Sequence, residues 1–204
     1  MNSEDSNDSR LSDKKSYSDI IQAVGQALGS DWFPSSQRAS LRRLGLSCRS
    51  ASETVALRIL IEAGAPLQAM SFAEMRNWAW LVHCMALMSV PNRNPHSTAY
   101  GAGPGFVLHR IGYGEVRLGR LLDAYGDAFQ KLIEHAAWRM SKAGAQMNWW
   151  KIAPLILSAD PRSPWAENAR IAISRDFLLA NARSSLKRAK SMTLDDTLLT
   201  EQVS

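Results

Sequence analysis

Apolar residues recur along most of this chain at helical spacing, and over no stretch of strand length do they alternate with period two. The longest stripe joins Leu118, Leu121, Leu122, Tyr125, Phe129, Leu132, Ile133, Ala136 and Met140, which predicts a helix from Glu115 to about Met140. Ser71 and Glu74 form an S-x-x-E capping box ahead of an apolar run, predicting a helix from Phe72 to about Val90 that Pro91 stops. Ser163 followed by Pro164 supplies an N-cap and a first-turn proline for a helix from Trp165 to about Ala182. Asn148 is placed to cap a helix that begins at Trp149 and Trp150 and is limited or kinked by Pro154. Residues 38–46 and 53–63 complete the helical set, and turn residues fill 91–105. The expected fold is all-α: a helical bundle with flexible polar termini. On this reading residues 1–30 are a flexible tail and lead-in. Residues 31–105 are an N-terminal helical part, 106–182 a C-terminal helical part and 183–204 a polar tail that begins as a frayed helix.

Composition sharpens this picture. The 204 residues carry a formal charge of +5 and a pI near 9.5, and 17 of the 24 basic residues are Arg. Arg presents a planar fork that suits phosphate, so an Arg-rich basic chain suggests a polyanion partner. Between residues 20 and 182 stand 17 bases and 11 acids, which puts the positive charge in the folded part. Two cysteines, Cys48 and Cys84, exclude a disulfide framework and a cysteine-based zinc module and fit a reducing compartment. The first 19 residues are polar and resemble no signal peptide, and the apolar run Asn77–Val90 is too short to span a membrane. The expectation is a soluble, cytoplasmic protein.

Catalytic and metal chemistry find no footing. His83, His96, His109 and His135 lack ligand-like spacing to one another or to Cys and carboxylates, and His135 stands beside Lys131 and Arg139. Gly101, Gly103 and Gly105 form G-x-G-P-G, without the Lys-Ser or Lys-Thr of a phosphate loop and without a preceding strand. No catalytic residue, metal ligand or cofactor is expected, and the chain is read as a non-enzyme.

The arginines can be sorted by whether an acid stands three or four residues away. Arg58 has Glu62, Arg170 has Glu167, Arg120 has Asp123, and Lys131 has Asp127 and Glu134. Arg38, Arg42, Arg43, Arg117, Arg139 and Lys142 have none, and Arg110 lies near the glycine-rich loop. Arg38 stands one turn below Arg42, a like-charge stacking that calls for an anion or a distant partner. With Arg120, three residues after Arg117, these make the candidate nucleic-acid-binding set. Trp78, Trp80, Trp149, Trp150 and Trp165 lie in or beside apolar helical segments and are read mainly as core, with Trp150 or Trp32 the exposed exceptions. Without a base-reading motif, such a surface fits backbone contact. The alternative is a helical protein–protein adaptor whose arginines pair across helices with Asp31, Glu53 or Asp176.

Several of these segments resemble the CasB family, the small subunit of the type I-E CRISPR Cascade complex. Gln37-Arg38-Ala39-Ser40-Leu41-Arg42-Arg43 resembles that family's R-A-x-L-R-R motif. Val107-Leu108-His109-Arg110 and Gly114-Glu115-Val116-Arg117-Leu118-Gly119-Arg120-Leu121-Leu122 resemble its central segment, and Asn148-Trp149 its Asp-Trp. Ile173-Ser174-Arg175-Asp176-Phe177 resembles its closing W-x-R-D-F, with Ile in place of Trp. The series runs in the family's order over roughly residues 35 to 180. The resemblance implies a non-catalytic antiviral-defence subunit of two small packed helical bundles, present in two copies beside other Cascade subunits. It would contact guide RNA and target DNA, stabilising the R-loop and its displaced strand. Arg42 and Arg43 match the family's R-R pair, and Arg110 and Arg117 its central basic positions. Arg120, Arg139 and Lys142 come from charge pairing alone.

Overall fold

The computed structural model describes residues 16–44 and 50–201, and over them the chain is all-α, with nine α-helices and no strand. The chain divides into two compact units, one up to His96 and one from Ser97 onward.

The first unit holds α1 (Tyr17–Gly29), α2 (Ser35–Arg42), α3 (Ser50–Glu62) and α4 (Phe72–Met88). The Ser71–Glu74 capping box forms as the sequence predicts, with the Glu74 amide donating to Ser71 Oγ and the Ser71 amide to Glu74 Oε2. From Trp78 to Met88 every residue of α4 is buried, so this helix is the centre of its unit, with α1, α2 and α3 around it. The apolar run considered as a membrane span is therefore a core helix, and no described helix is long and apolar enough to cross a membrane.

Helix α1 corrects the reading of residues 1–30 as tail and lead-in. Ser16 and Asp19 close a second capping box, and Ile20, Ile21, Val24 and Leu28 bury one face. Its two glycines let another segment come close. A Cβ on Gly25 would stand 2.5 Å from Asn94 Oδ1, and one on Gly29 would stand 2.7 Å from the Asn94 amide nitrogen. Residues 1–15 and 45–49 lie outside the described residues, as does the end of the helix expected at 38–46.

The second unit holds α5 (Pro104–Arg110), α6 (Glu115–Asp123), α7 (Gly126–Lys142), a 3-10 turn at Trp149–Lys151, α8 (Ala153–Leu157) and α9 (Pro164–Glu201). The single helix expected from Glu115 to Met140 is two. The chain extends at Ala124 and Tyr125, and Gly126 adopts φ +54°, a left-handed conformation that glycine takes without strain. Arg170 of α9 holds this break, donating from Nε to the Leu122 carbonyl at 2.7 Å with its guanidinium 4.9 Å from the Tyr125 ring centre. Ser163 and Pro164 open α9 as expected, with the Ala166 amide on Ser163 Oγ, and the helix continues through the stretch expected as a frayed helix and polar tail to Glu201. Asn148 precedes the 3-10 turn without a side-chain cap bond; its amide donates instead to the Ala102 carbonyl at 2.7 Å. Helix α5 lies against α9 so closely that a Cβ on Gly105 would stand 2.2 Å from the Ile173 carbonyl oxygen.

Candidate nucleic-acid interface

The eight candidate cations separate once their surroundings are known. Arg38 is only 5% exposed, and its Nη2 donates to the carbonyls of Leu28 and Ser30 at 3.1 and 3.2 Å. Its guanidinium carbon lies 5.5 Å from the Phe33 ring centre. Burial pulls its pKa below the usual arginine value, with Arg42 adding to the effect and Asp31 opposing it. Half-buried Arg42 donates from Nε to the Ala86 carbonyl at 3.1 Å and from Nη2 to the Ser89 carbonyl. The first arginine thus caps the carboxyl end of α1 and the second that of α4, where unsatisfied carbonyls and the helix dipole favour a cation. Both guanidinium groups of the nucleic-acid set's first two members are thus engaged by helix-end carbonyls. Their stacking is explained by two helix ends, and no anion is needed. Arg43, beside them, is exposed, and its side chain makes no hydrogen bond or ion pair among the described residues.

Five of the candidates lie in the second unit. Arg110 is the exposed last residue of α5, and Arg117 and Arg120 are exposed one turn apart on α6. The turn between these helices, Ile111 to Gly114, uses Gly112 at φ +72° and buries Tyr113. Half-buried Arg139 of α7 reaches this turn. Its Nη2 lies 3.5 Å from the carbonyls of Ile111 and Gly112, long contacts, and its guanidinium carbon 5.7 Å from the Tyr113 ring centre. Burial raises the Tyr113 phenol pKa, and the charges of Arg139 and Arg117 oppose that shift. Lys142, three residues beyond Arg139, is exposed at the end of α7. The side chains of Arg110, Arg117, Arg120 and Lys142 make no hydrogen bond or ion pair among the described residues, and Arg120 is not joined to Asp123 as its spacing suggested. The Arg170–Glu167 pair does form, at 2.8 Å.

Sequence reasoning passed over part of this surface. A groove of about 600 Å³ between the α5–α6 turn and α9 is lined by His109, Arg110, Tyr113, Glu115, Asn181 and Ser184, among others. Asn181 Nδ2 donates to Glu115 Oε1 across it at 2.7 Å. Arg183, assigned to a tail, instead sits on α9 with Nη1 on the Tyr100 hydroxyl at 3.2 Å and its guanidinium carbon 6.0 Å from the Phe106 ring centre. The closing Ile173–Phe177 segment is packing: Ile173, Asp176 and Phe177 are buried, and the Phe177 ring meets His109 edge-on at 5.4 Å. Trp78, Trp80 and Trp149 are core, and Trp32 is exposed. His83 is fully buried, with Nδ1 2.7 Å from the Leu41 carbonyl oxygen. Among the described residues no group of three or more His, Cys, Asp or Glu side chains converges.

Comparison with protein-family models, with curated proteins and with solved structures gives no match.

Proposed function

We propose that this chain is a non-catalytic nucleic-acid-bracing subunit, of the kind the CasB resemblance implies in a type I-E CRISPR Cascade complex. It would act in the cytoplasm beside other Cascade subunits, on guide RNA and on the target and displaced DNA strands. The observation that carries this reading is the group of exposed cations in the second unit: Arg110, Arg117, Arg120 and Lys142, with Arg139 beside them. An exposed cation without an internal carboxylate keeps its charge for an external anion, and several on neighbouring elements suit a run of phosphates. The all-α fold and chain length agree with the resemblance, and the lack of a base-reading motif suits backbone contact. The adaptor reading requires ion pairs between helices, and among the described residues these cations make none.

Salt titration of binding to labelled single- and double-stranded DNA tests the proposal. Each lost phosphate contact removes about 0.7–0.9 from the slope of log affinity against log salt, so R117A/R120A/K142A lowers it by roughly 2 to 3. R42A, at a residue that caps α4, lowers stability and leaves the slope of the folded protein unchanged. A triple variant that stays folded and binds with unchanged affinity and slope refutes the assignment.

A further inference from the structure

The groove between the α5–α6 turn and α9 holds hydrogen-bonding groups that the fold does not use. Its volume of about 600 Å³ is that of a small-molecule site. Arg110 closes α5 on one side of the turn and Glu115 opens α6 on the other, and both are exposed. Half-buried His109 meets the Phe177 ring at 5.4 Å, and its ring nitrogens make no hydrogen bond among the described residues. Tyr113 lines the groove while only 4% exposed, and its hydroxyl likewise makes no hydrogen bond among the described residues. A tyrosine this buried normally gives its hydroxyl a partner, so the opening beside it is where one can enter. Across the opening, Asn181 Nδ2 donates to Glu115 Oε1 at 2.7 Å. That bond fixes both side chains and assigns what they have left. The second amide hydrogen remains a donor, and Glu115 Oε2 and Asn181 Oδ1 remain acceptors.

These groups sort by type. Arg110, His109 and Tyr113 supply donors for an anion, whereas the Glu115–Asn181 pair supplies acceptors beside a donor. The ligand that answers both has an anionic group and, a short distance away, a hydroxyl that donates and accepts at once. A ribonucleotide has this form. Its phosphate is one sugar removed from a 2′-hydroxyl, whose O–H donates to the carboxylate while its oxygen accepts from the amide. A deoxyribonucleotide presents carbon there and leaves the pair unanswered. A bare phosphate or an acidic peptide fits worse, because neither brings a hydroxyl to offset an anion placed near Glu115. We infer that this groove binds a ribonucleotide, with its phosphate at Arg110 and its 2′-hydroxyl between Glu115 and Asn181. The bracing reading treats RNA and DNA backbones alike, whereas this groove separates them; Arg110 is the residue that the two share. A free ribonucleotide and one within an RNA strand present the same chemistry, and the choice of probes distinguishes them.

Titration of the full chain, followed by amide shifts in NMR and by fluorescence polarisation, uses two pairs of probes. One pair is an RNA of about ten nucleotides and DNA of the same sequence; the other is adenosine monophosphate and its 2′-deoxy form. A hydroxyl bonded to a charged partner separates ribose from deoxyribose by roughly tenfold, with the shifts centred on residues 109–115 and 181–185. E115A/N181A changes an exposed and a half-buried position, so circular dichroism stays native. It brings RNA down to the DNA affinity and leaves DNA bound no more weakly than before. Y113F removes a single oxygen and lowers RNA binding by about threefold. Ribose preference in the mononucleotide pair identifies a free nucleotide as ligand; preference in the strands alone identifies RNA. A wild-type chain that shows no ribose preference in either pair overturns the inference, as does a preference that survives in folded E115A/N181A. R117A/R120A/K142A leaves the preference in place while it lowers the salt slope on DNA, so each proposal fails by its own measurement.

Discussion

Replacing Arg170 by Ala removes the side chain that holds the α6–α7 break against α9. Three hydrogen bonds go: Nε to the Leu122 carbonyl at 2.7 Å, Nη1 to the Pro161 carbonyl at 2.6 Å, and Nη1 to Glu167 Oε1 at 2.8 Å. The guanidinium is also lost from the Tyr125 ring, 4.9 Å away. The bond to buried Leu122 O counts most, because a charged donor contributes about 1.5–3 kcal/mol and the carbonyl is left without its partner. The Pro161 bond adds roughly 1 kcal/mol, and the Tyr125 stacking about 0.5 kcal/mol at a partly exposed site. The Glu167 pair is discounted to a few tenths because that carboxylate is about half exposed. Regained side-chain entropy and the relief of a buried charge offset part of the sum, leaving a net loss of about 2–4 kcal/mol. Urea titration reads this as a midpoint lowered by about 1–2 M. Hydrogen exchange locates it, with faster exchange at the Phe129 amide and along α6 and α7 and no change within α1 to α4. R170K restores charge but not the fork, and recovers a minor part. An R170A variant within about 0.5 kcal/mol of wild type would show that the break is held by something other than this arginine.

Two glycines of the second unit give opposite results. Gly105→Ala forces a methyl to within 2.2 Å of a carbonyl oxygen of α9, so thermal unfolding falls by the equivalent of about 2–4 kcal/mol. Gly119→Ala, inside α6 with no atom within 4 Å of its new Cβ, raises stability by about 0.5–1 kcal/mol. His96 makes the first unit sensitive to acid. Burial lowers its folded pKa below the ordinary imidazole value, so the unfolded chain binds more protons as pH falls below about 6.5. Its stabilisation is full above that pH and is lost toward the lower folded pKa. Melting temperatures at about pH 7.5 and pH 5.5 should differ more in wild type than in H96Q, and equal differences would remove His96 as the cause.

The features legible in the sequence were those set within four or five residues. The Ser71–Glu74 box, the Ser163–Pro164 start and the buried run of α4 need only local hydrogen bonds and one apolar pattern. Helix α1 was equally legible, since Ile20, Ile21, Val24 and Leu28 have core spacing behind Ser16 and Asp19, but the polar stretch before it drew the whole segment into the tail. The α6–α7 break was not legible. The apolar stripe keeps helical phase through Tyr125, and the arginine that satisfies Leu122 O comes from forty-eight residues away. The carbonyl partners of Arg38 and Arg42 were hidden for the same reason. Sorting bases by nearby carboxylates omits the commonest long-range acceptor of a guanidinium in this fold, a carbonyl at a helix end.

That omission changes where the charge acts. The overall +5 divides unevenly: residues 1–96 hold ten bases and nine acids, and residues 97–204 hold fourteen and ten. In the first unit the arginines of the R-A-x-L-R-R-like segment mostly serve the fold, since two of the three bind carbonyls. In the second, Arg170 does the same work and most of the remaining candidates face solvent. A segment can therefore look like a basic binding motif while its arginines brace helices, and a less distinctive segment can carry the surface charge. The segment that looks most like a binding motif is thus the weaker candidate. The Glu115–Asp123 helix and the end of α7 are where a phosphate backbone would find cations with no internal partner.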